Sequence, residues 1–253
     1  MLQQVEFYYF SPTGGTRKAG EIFCRAIARQ LREVDLGKEM HPTASQKADL
    51  SVMAVPVFGG RVPAAAVERI RELNGEGKRA VTLAVYGNRA YEDALLEVND
   101  AVEECGFQIA ASAALIAQHS IVTFVAENRP DEADAREIRE FAQEVEKKLQ
   151  MEQTEKIQVP GSRPYKDGMK GGSTPMTLDT CTKCGRCVSV CPVGAIDKNS
   201  GGITTDAGKC ILCMACTVKC PEHARILPPP MKAVMDEKLG VLKDIRKENE
   251  FFL

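Results

Sequence analysis

Ten cysteines carry the most specific chemistry in this 253-residue chain. Eight of them fall in two copies of one spacing, C-x2-C-x2-C-x3-C-P: CTKCGRCVSVCP over residues 181–192 and, 29 residues later, CILCMACTVKCP over 210–221. Thiolates are soft donors that suit iron in a sulfide cage, and three cysteines at two-residue gaps can wrap three corners of one cube. The fourth, just before proline, ligates the other cube. This assigns one 4Fe-4S cluster to Cys181, Cys184, Cys187 and Cys220, and a second to Cys191, Cys210, Cys213 and Cys216. Zinc sites pair two cysteines with a distant second pair and leave no place for a third at the same gap. Disulfides would need an oxidising compartment. The opening MLQQVEFYYF has neither the basic leader nor the cleavage site of a secretory signal, so a cytoplasmic location is expected.

A second set of candidate residues lies in three loops of the first half. The turn Ser11-Pro12-Thr13-Gly14-Gly15-Thr16 offers three hydroxyls and two glycines ahead of a helix, which suits a phosphate monoester. It has neither the G-x-G-x-x-G fingerprint of dinucleotide folds nor the lysine of a triphosphate loop. The other two loops run over residues 56–63, with Phe58, Gly59, Gly60 and Arg61, and over 86–93, with Tyr86, Gly87, Asn88, Arg89 and Tyr91. A flat heteroaromatic ring needs apolar faces to stack on, which Phe58, Tyr86 and Tyr91 could supply.

Something must position these loops, and the hydrophobic pattern says what. Strands are predicted over 5–10, 50–58, 79–87 and 107–117, with a weaker one around 34–40. Helices are predicted over 16–32, 62–73, 91–105 and 131–149, the third stopping at Gly106. Alternating strands and helices imply parallel pairing with right-handed crossovers, hence a doubly wound open sheet of five strands. In such sheets ligands bind beyond the carboxyl ends of the strands, where the three loops lie.

The S-P-T-G-G-T turn resembles the phosphate loop of flavodoxins. That resemblance implies strand order 2-1-3-4-5 and bound FMN, with Ser11, Thr13, Gly14, Gly15 and Thr16 around the phosphate and the loops at 58–61 and 86–91 beside the flavin ring. Many flavodoxins begin this turn with Thr and stack a Trp on the flavin, whereas here Ser11 opens the turn and no Trp is present. The cysteine repeat resembles bacterial two-cluster ferredoxins over 178–227, which implies a small α+β module with pseudo-twofold symmetry. The whole chain resembles the flavodoxin-ferredoxin fusions of anaerobes described as EFR-type ferredoxins, including its final residues RKENEFFL.

The expected organisation is a flavodoxin-like domain over 1–150, a Gly- and Pro-containing linker over 151–177, a ferredoxin domain over 178–230, and a C-terminal helix and tail over 231–253. The tail helix is expected to pack on the first domain through Val234, Leu239, Leu242 and the final Phe pair. Net charge is −5 over 1–150 and +3 over 151–253, a balance that gives no basis for nucleic-acid binding. No apolar run is long enough to span a membrane. Cys24 and Cys105 read as structural thiols; His41, His119 and His223 share no spacing, though topology puts His119 near the flavin edge. The expected role is electron transfer between FMN, the two clusters and an external redox partner. A small-molecule reductase fed by the clusters, or a ferredoxin carrying a flavin-free docking domain, are the alternatives. Composition does not specify an oligomeric state.

Overall fold

The computed structural model describes residues 1–38, 48–151, 155–169 and 172–253. Along the chain run β1 (Leu2–Tyr9), α1 (Gly15–Ile27), β2 (Ala28–Asp35), β3 (Leu50–Pro56), α2 (Ala64–Arg71), β4 (Arg79–Tyr86), α3 (Ala94–Glu104), β5 (Gln108–Ile116) and α4 (Glu132–Leu149). The second half contains β6 (Met176–Thr177), α5 (Arg186–Ser189), β7 (Ile196–Asn199), β8 (Gly202–Thr205), α6 (Ala215–Val218), β9 (Arg225–Ile226), α7 (Pro229–Gly240) and β10 (Glu250–Phe252). No helix among the described residues is long and apolar enough to cross a membrane.

The first five strands are parallel and lie in the order 2-1-3-4-5, the flavodoxin-like arrangement. Because both faces are covered by helices, the central strands are mostly apolar, with Glu6, Ser51, Thr82 and Ser112 as buried exceptions, and successive side chains feed two separate cores. Tyr8, Phe10, Met53, Val55 and Ile116 join Ile70, Leu95 and Val98 under α2 and α3. Val5, Phe7, Val52, Leu83 and Leu115 join Phe23, Ile27, Ile138 and Phe141 under α1 and α4. Gly20 lets α1 approach β1, since a Cβ there would overlap the Phe7 ring.

Three expectations need correction. The first helix ends at Ile27, because Ala28 turns extended (φ −132°, ψ 152°) and Ala28–Asp35 pairs with β1 as the edge strand. The weak strand expected over 34–40 therefore begins six residues earlier; its last residues, with His41, lie outside the described residues. An edge strand exposes both faces, so ARQLREVD carries charges that mask its strand character.

The expected linker is not a free tether. Ile157 is buried in the core under α2 and α3. Ser162 N and Lys166 N donate to the two oxygens of Asp93 at 2.9 and 2.7 Å. Arg163 and Tyr165 both engage Asp100.

The tail is a strand rather than a helix end. Glu250–Phe252 adds antiparallel to β5 as a sixth strand, and its pleat sends the two phenylalanines to opposite faces. Phe251 stacks on Phe141 with centroids 4.7 Å apart, while Phe252 packs on the other core. Leu239 and Leu242 pack with Met235 against Ile121, Val122, Phe124 and Val125, as expected for α7; Val234 is 47% exposed and takes no part.

Candidate cofactor sites

The three loops singled out in the sequence meet in one cleft at the carboxyl ends of the parallel strands. Thr13, Gly15, Thr16, Phe58, Gly59, Gly60, Tyr86, Gly87 and Arg89 line it, around ≈ 1040 Å³ free of protein atoms including the mouth. Gly14 caps α1 in the left-handed region (φ +99°) and has no side chain to satisfy the first amides of the helix. By contrast, α4 closes its own N-terminus with a capping box, Asp131 accepting from Ala133 N and Asp134 N. The open amide end of α1, beside Thr13 and Thr16, suits an anionic phosphate; the Ser11 hydroxyl accepts from Arg17 N at 2.9 Å and holds the turn from behind. Two cations of α1 are engaged elsewhere: Arg17 pairs with Glu33 at 2.7 Å and Lys18 donates to Pro130 O.

The deeper walls suit an aromatic ring. Phe58, Val57 and Tyr86 come from the sheet side; Met169, Leu212, Met235 and Leu239 close the cleft from the second half of the chain. Sequence reasoning did not find these four, because each is an ordinary apolar residue until folding brings it over the sheet. His119 also lines the cleft. Its Nδ1 accepts from Val122 N at 3.0 Å and Ile121 N at 3.2 Å, which leaves the proton on Nε2. Burial, and secondarily Arg89, push its pKa down to about 4, so the ring is neutral near pH 7.

Three expected flavin contacts do other work. Tyr91 is buried edge-on to Tyr86 and donates to Glu250 at 2.7 Å. Asn88 donates to Ile245 O at 2.7 Å and accepts from Lys247 N, so it too secures the tail. Arg61 forms two bonds to Glu97, at 2.7 and 2.8 Å, and lies over the Tyr165 ring, clasping the strap of residues 162–166 to α3. Loop membership put these residues in the right neighbourhood, but side-chain direction took them out of the cleft.

The eight repeat cysteines surround two smaller cavities. One, with ≈ 290 Å³ free of protein atoms, is lined by Cys181, Cys184, Cys187 and Cys220. The other, with ≈ 340 Å³, is lined by Cys191, Cys210, Cys213 and Cys216. Each thus draws three cysteines from one motif and the pre-proline cysteine from the other. Among the described residues no thiols, carboxylates or imidazoles converge tightly enough for a single ion. The chain repeats its local conformation to achieve this: Lys183 and Leu212, Gly185 and Met214, and Gly194 and His223 all have positive φ at matching positions. Ala195 N and Ala224 N donate to Cys191 Sγ and Cys220 Sγ at 3.2 and 3.3 Å. Cys184 is exposed, whereas Cys187, Cys213 and Cys216 are buried. Burial pushes Cys213 up to about 12; metal coordination would displace that proton. The other two thiols are structural in setting, Cys24 fully buried and Cys105 donating to Ile70 O.

The two sets of sites adjoin. Leu212, between Cys210 and Cys213, borders both the large cleft and the cavity of Cys191, Cys210, Cys213 and Cys216, and Ile211 packs on the core under α2 and α3. Arg69 of α2 donates to Pro192 O at 2.7 Å, tying the first motif to the sheet domain.

Residues 180–225 match the 4Fe-4S dicluster domain family. Over 54 residues the chain is 46% identical to the uncharacterized ferredoxin-like protein YdhY of Escherichia coli, covering 20% of this chain and 26% of that one. Over 49 residues it is 53% identical to the iron-sulfur cluster-binding subunit of menaquinone reductase from Nitratidesulfovibrio vulgaris, covering 18% and 19%. The chain thus spans about a quarter or less of these relatives. Among solved structures, flavodoxin 1 from Bacillus cereus aligns at 15% identity and TM-score 0.44 over 57% of this chain and 98% of that one. The rubredoxin oxygen:oxidoreductase of Desulfovibrio gigas aligns at 15% and 0.44 over 58% and 36%. The strand order and the family match together describe a flavodoxin-like sheet joined to a 4Fe-4S dicluster module.

Proposed function

We propose that the chain is an electron carrier of the EFR type, with FMN in the large cleft and one 4Fe-4S cluster in each cysteine-lined cavity. Cys181, Cys184, Cys187 and Cys220 hold one cluster, and Cys191, Cys210, Cys213 and Cys216 the other. A flavin exchanges one or two electrons and each cluster one, so the pairing connects two-electron and one-electron donors. The observation that carries the reading is the position of Leu212, which lines both the cleft and the second cavity.

The protein's own residues account for the rest. Thr13, Gly15, Thr16 and the amide end of α1 bind the phosphate, while Phe58 and Tyr86 present apolar surface to the ring. Met169, Met235 and Leu239 exclude water from the side facing the ferredoxin module. His119, neutral and held by two backbone amides, orients the loop after β5 and adds no charge. Cys184 is exposed, which gives an external redox partner access to the first cluster. The menaquinone reductase relative and a thiosulfate reductase electron transfer subunit, PhsB of Salmonella typhi, are by name parts of redox assemblies, which supports a protein partner. Ten unpaired cysteines suit a reducing, cytoplasmic setting.

Anaerobic purification followed by release of cofactors tests the reading. About eight irons and one FMN per chain are expected. Eight irons with no flavin, even after reconstitution with FMN, would reduce the chain to a ferredoxin with a docking domain.

A further inference from the structure

The two cysteine repeats differ at one buried place. Residues 191–196 read Cys-Pro-Val-Gly-Ala-Ile, and residues 220–225 read Cys-Pro-Glu-His-Ala-Arg. The backbones match: Gly194 and His223 have φ of 58° and 49°, and each following alanine amide bonds its cysteine sulfur. The last position is 4% exposed as Ile196 and 3% exposed as Arg225. The same enclosed position therefore holds a hydrocarbon in one repeat and a guanidinium in the other.

A buried guanidinium ordinarily sits against a carboxylate, because an unpaired charge away from water is costly. Arg225 has none. It donates to the hydroxyls of Thr177 and Thr205, each at 2.7 Å, and lies 3.9 Å from Cys216 Sγ. Its buried Nε has no hydrogen-bond partner, and the residue lines the cavity of Cys181, Cys184, Cys187 and Cys220. One side chain thus reaches sulfur of one cysteine set and borders the cavity of the other.

We propose that Arg225 is a fixed buried cation shared by the two cluster sites, raising the reduction potential of both, with its free Nε–H bonded to cluster sulfur in the first cavity. The inference rests on the cluster reading above and supplies the missing countercharge: thiolate-ligated clusters are anionic. Reduction adds one electron from an external reductant to a cluster, with no bond broken and no proton required. The reduced site is more negative, so a nearby positive charge in a low-dielectric interior favours it.

The test uses the full-length protein, purified anaerobically, titrated with dithionite and followed by the EPR signals of the reduced clusters. Arg225→Gln and Arg225→Ile, the latter copying the twin position, should each shift both reduction equilibria about tenfold toward the oxidised form, 59 mV per one-electron step. Arg225→Lys, which keeps the charge, should stay within about threefold (half of that tenfold, on a logarithmic scale). Parental equilibria in Arg225→Gln at full iron content would overturn the proposal. Iron well below about eight per chain in the parent would instead overturn the cluster reading itself. If the neutral variants lose iron, the chain carrying Arg186→Lys and labelled with 15N-arginine decides, since Arg186 also lines that cavity: electron spin echo modulation from a nitrogen at the reduced clusters is expected, and its absence overturns the Nε–H contact.

Discussion

The sheet domain and the cysteine module solve the same problem by opposite means. The first closes two large apolar cores around one sheet, with Phe7, Tyr8, Phe10, Phe23 and Phe141 each fully buried, and full burial of such a side chain contributes roughly 1.5–3 kcal/mol. The second has, among the described residues, one small cluster, Cys187, Ile196 and Cys216 with Val188, Cys191 and Ile203 against it, half of it cysteine. Four-residue helices and two- to four-residue strands cannot supply a core of their own. A region held by its own hydrocarbon can leave a cleft open; on the proposed reading the second region depends on its clusters instead.

The contrast is most exposed to failure where the cofactor is removed. Stripping iron with a chelator should unfold residues 176–227 outright while 2–149 keep their protection, read by hydrogen exchange with mass spectrometry. Persistent protection in both regions would remove the contrast. The converse perturbation strikes the apolar side: Phe251→Ala should lower the unfolding free energy of the sheet domain by about 2 kcal/mol, because it removes a stacked partner of Phe141. Its iron content should not change. Urea unfolding followed by far-ultraviolet circular dichroism, with iron assayed in parallel, separates the two.

A third variant probes the seam between the regions. Leu212→Trp fills the cleft from the module's side and should weaken FMN binding about tenfold with cluster content intact, as measured by flavin fluorescence quenching. Unchanged affinity would place the flavin elsewhere. The smallest effect is on pH dependence. Because His119 titrates near 4 in the folded chain and near 6.5 unfolded, the unfolded chain binds the extra proton in that window. Its contribution to stability therefore falls as pH drops from 6.5 toward 4. His119→Asn, whose side-chain oxygen can still accept the two amides, should flatten that slope in urea midpoints measured at pH 7 and pH 5.

Much of this was readable in the chain. Strands β1, β3, β4 and β5 fall where apolar runs predict them, because strands buried on both faces have no polar side to confuse the pattern. The edge strand Ala28–Asp35 was missed for the opposite reason. At the site, Thr13, Gly15 and Thr16 line the cleft, where backbone position ahead of a helix puts them. Asn88, Tyr91 and Arg61 were misplaced because a loop can point a side chain inward or back along the chain. Asn88 and Tyr91 turn to the tail, where Asn249 further ties Ile116 N to Asp134 and Glu137.

The sequence by itself determined the chemistry: cysteine spacing is local, and a short loop with three thiolates has few ways to present them. It also determined the alternation of strands and helices, since periodicity is a property of contiguous residues. Only the tertiary structure decided that Phe251 and Phe252 seal opposite faces of the sheet, that Leu212 stands at both sites, and that Arg225 is enclosed without a carboxylate. Those facts depend on contacts between residues far apart in the chain, and burial, unlike spacing, exists only once the chain has closed on itself.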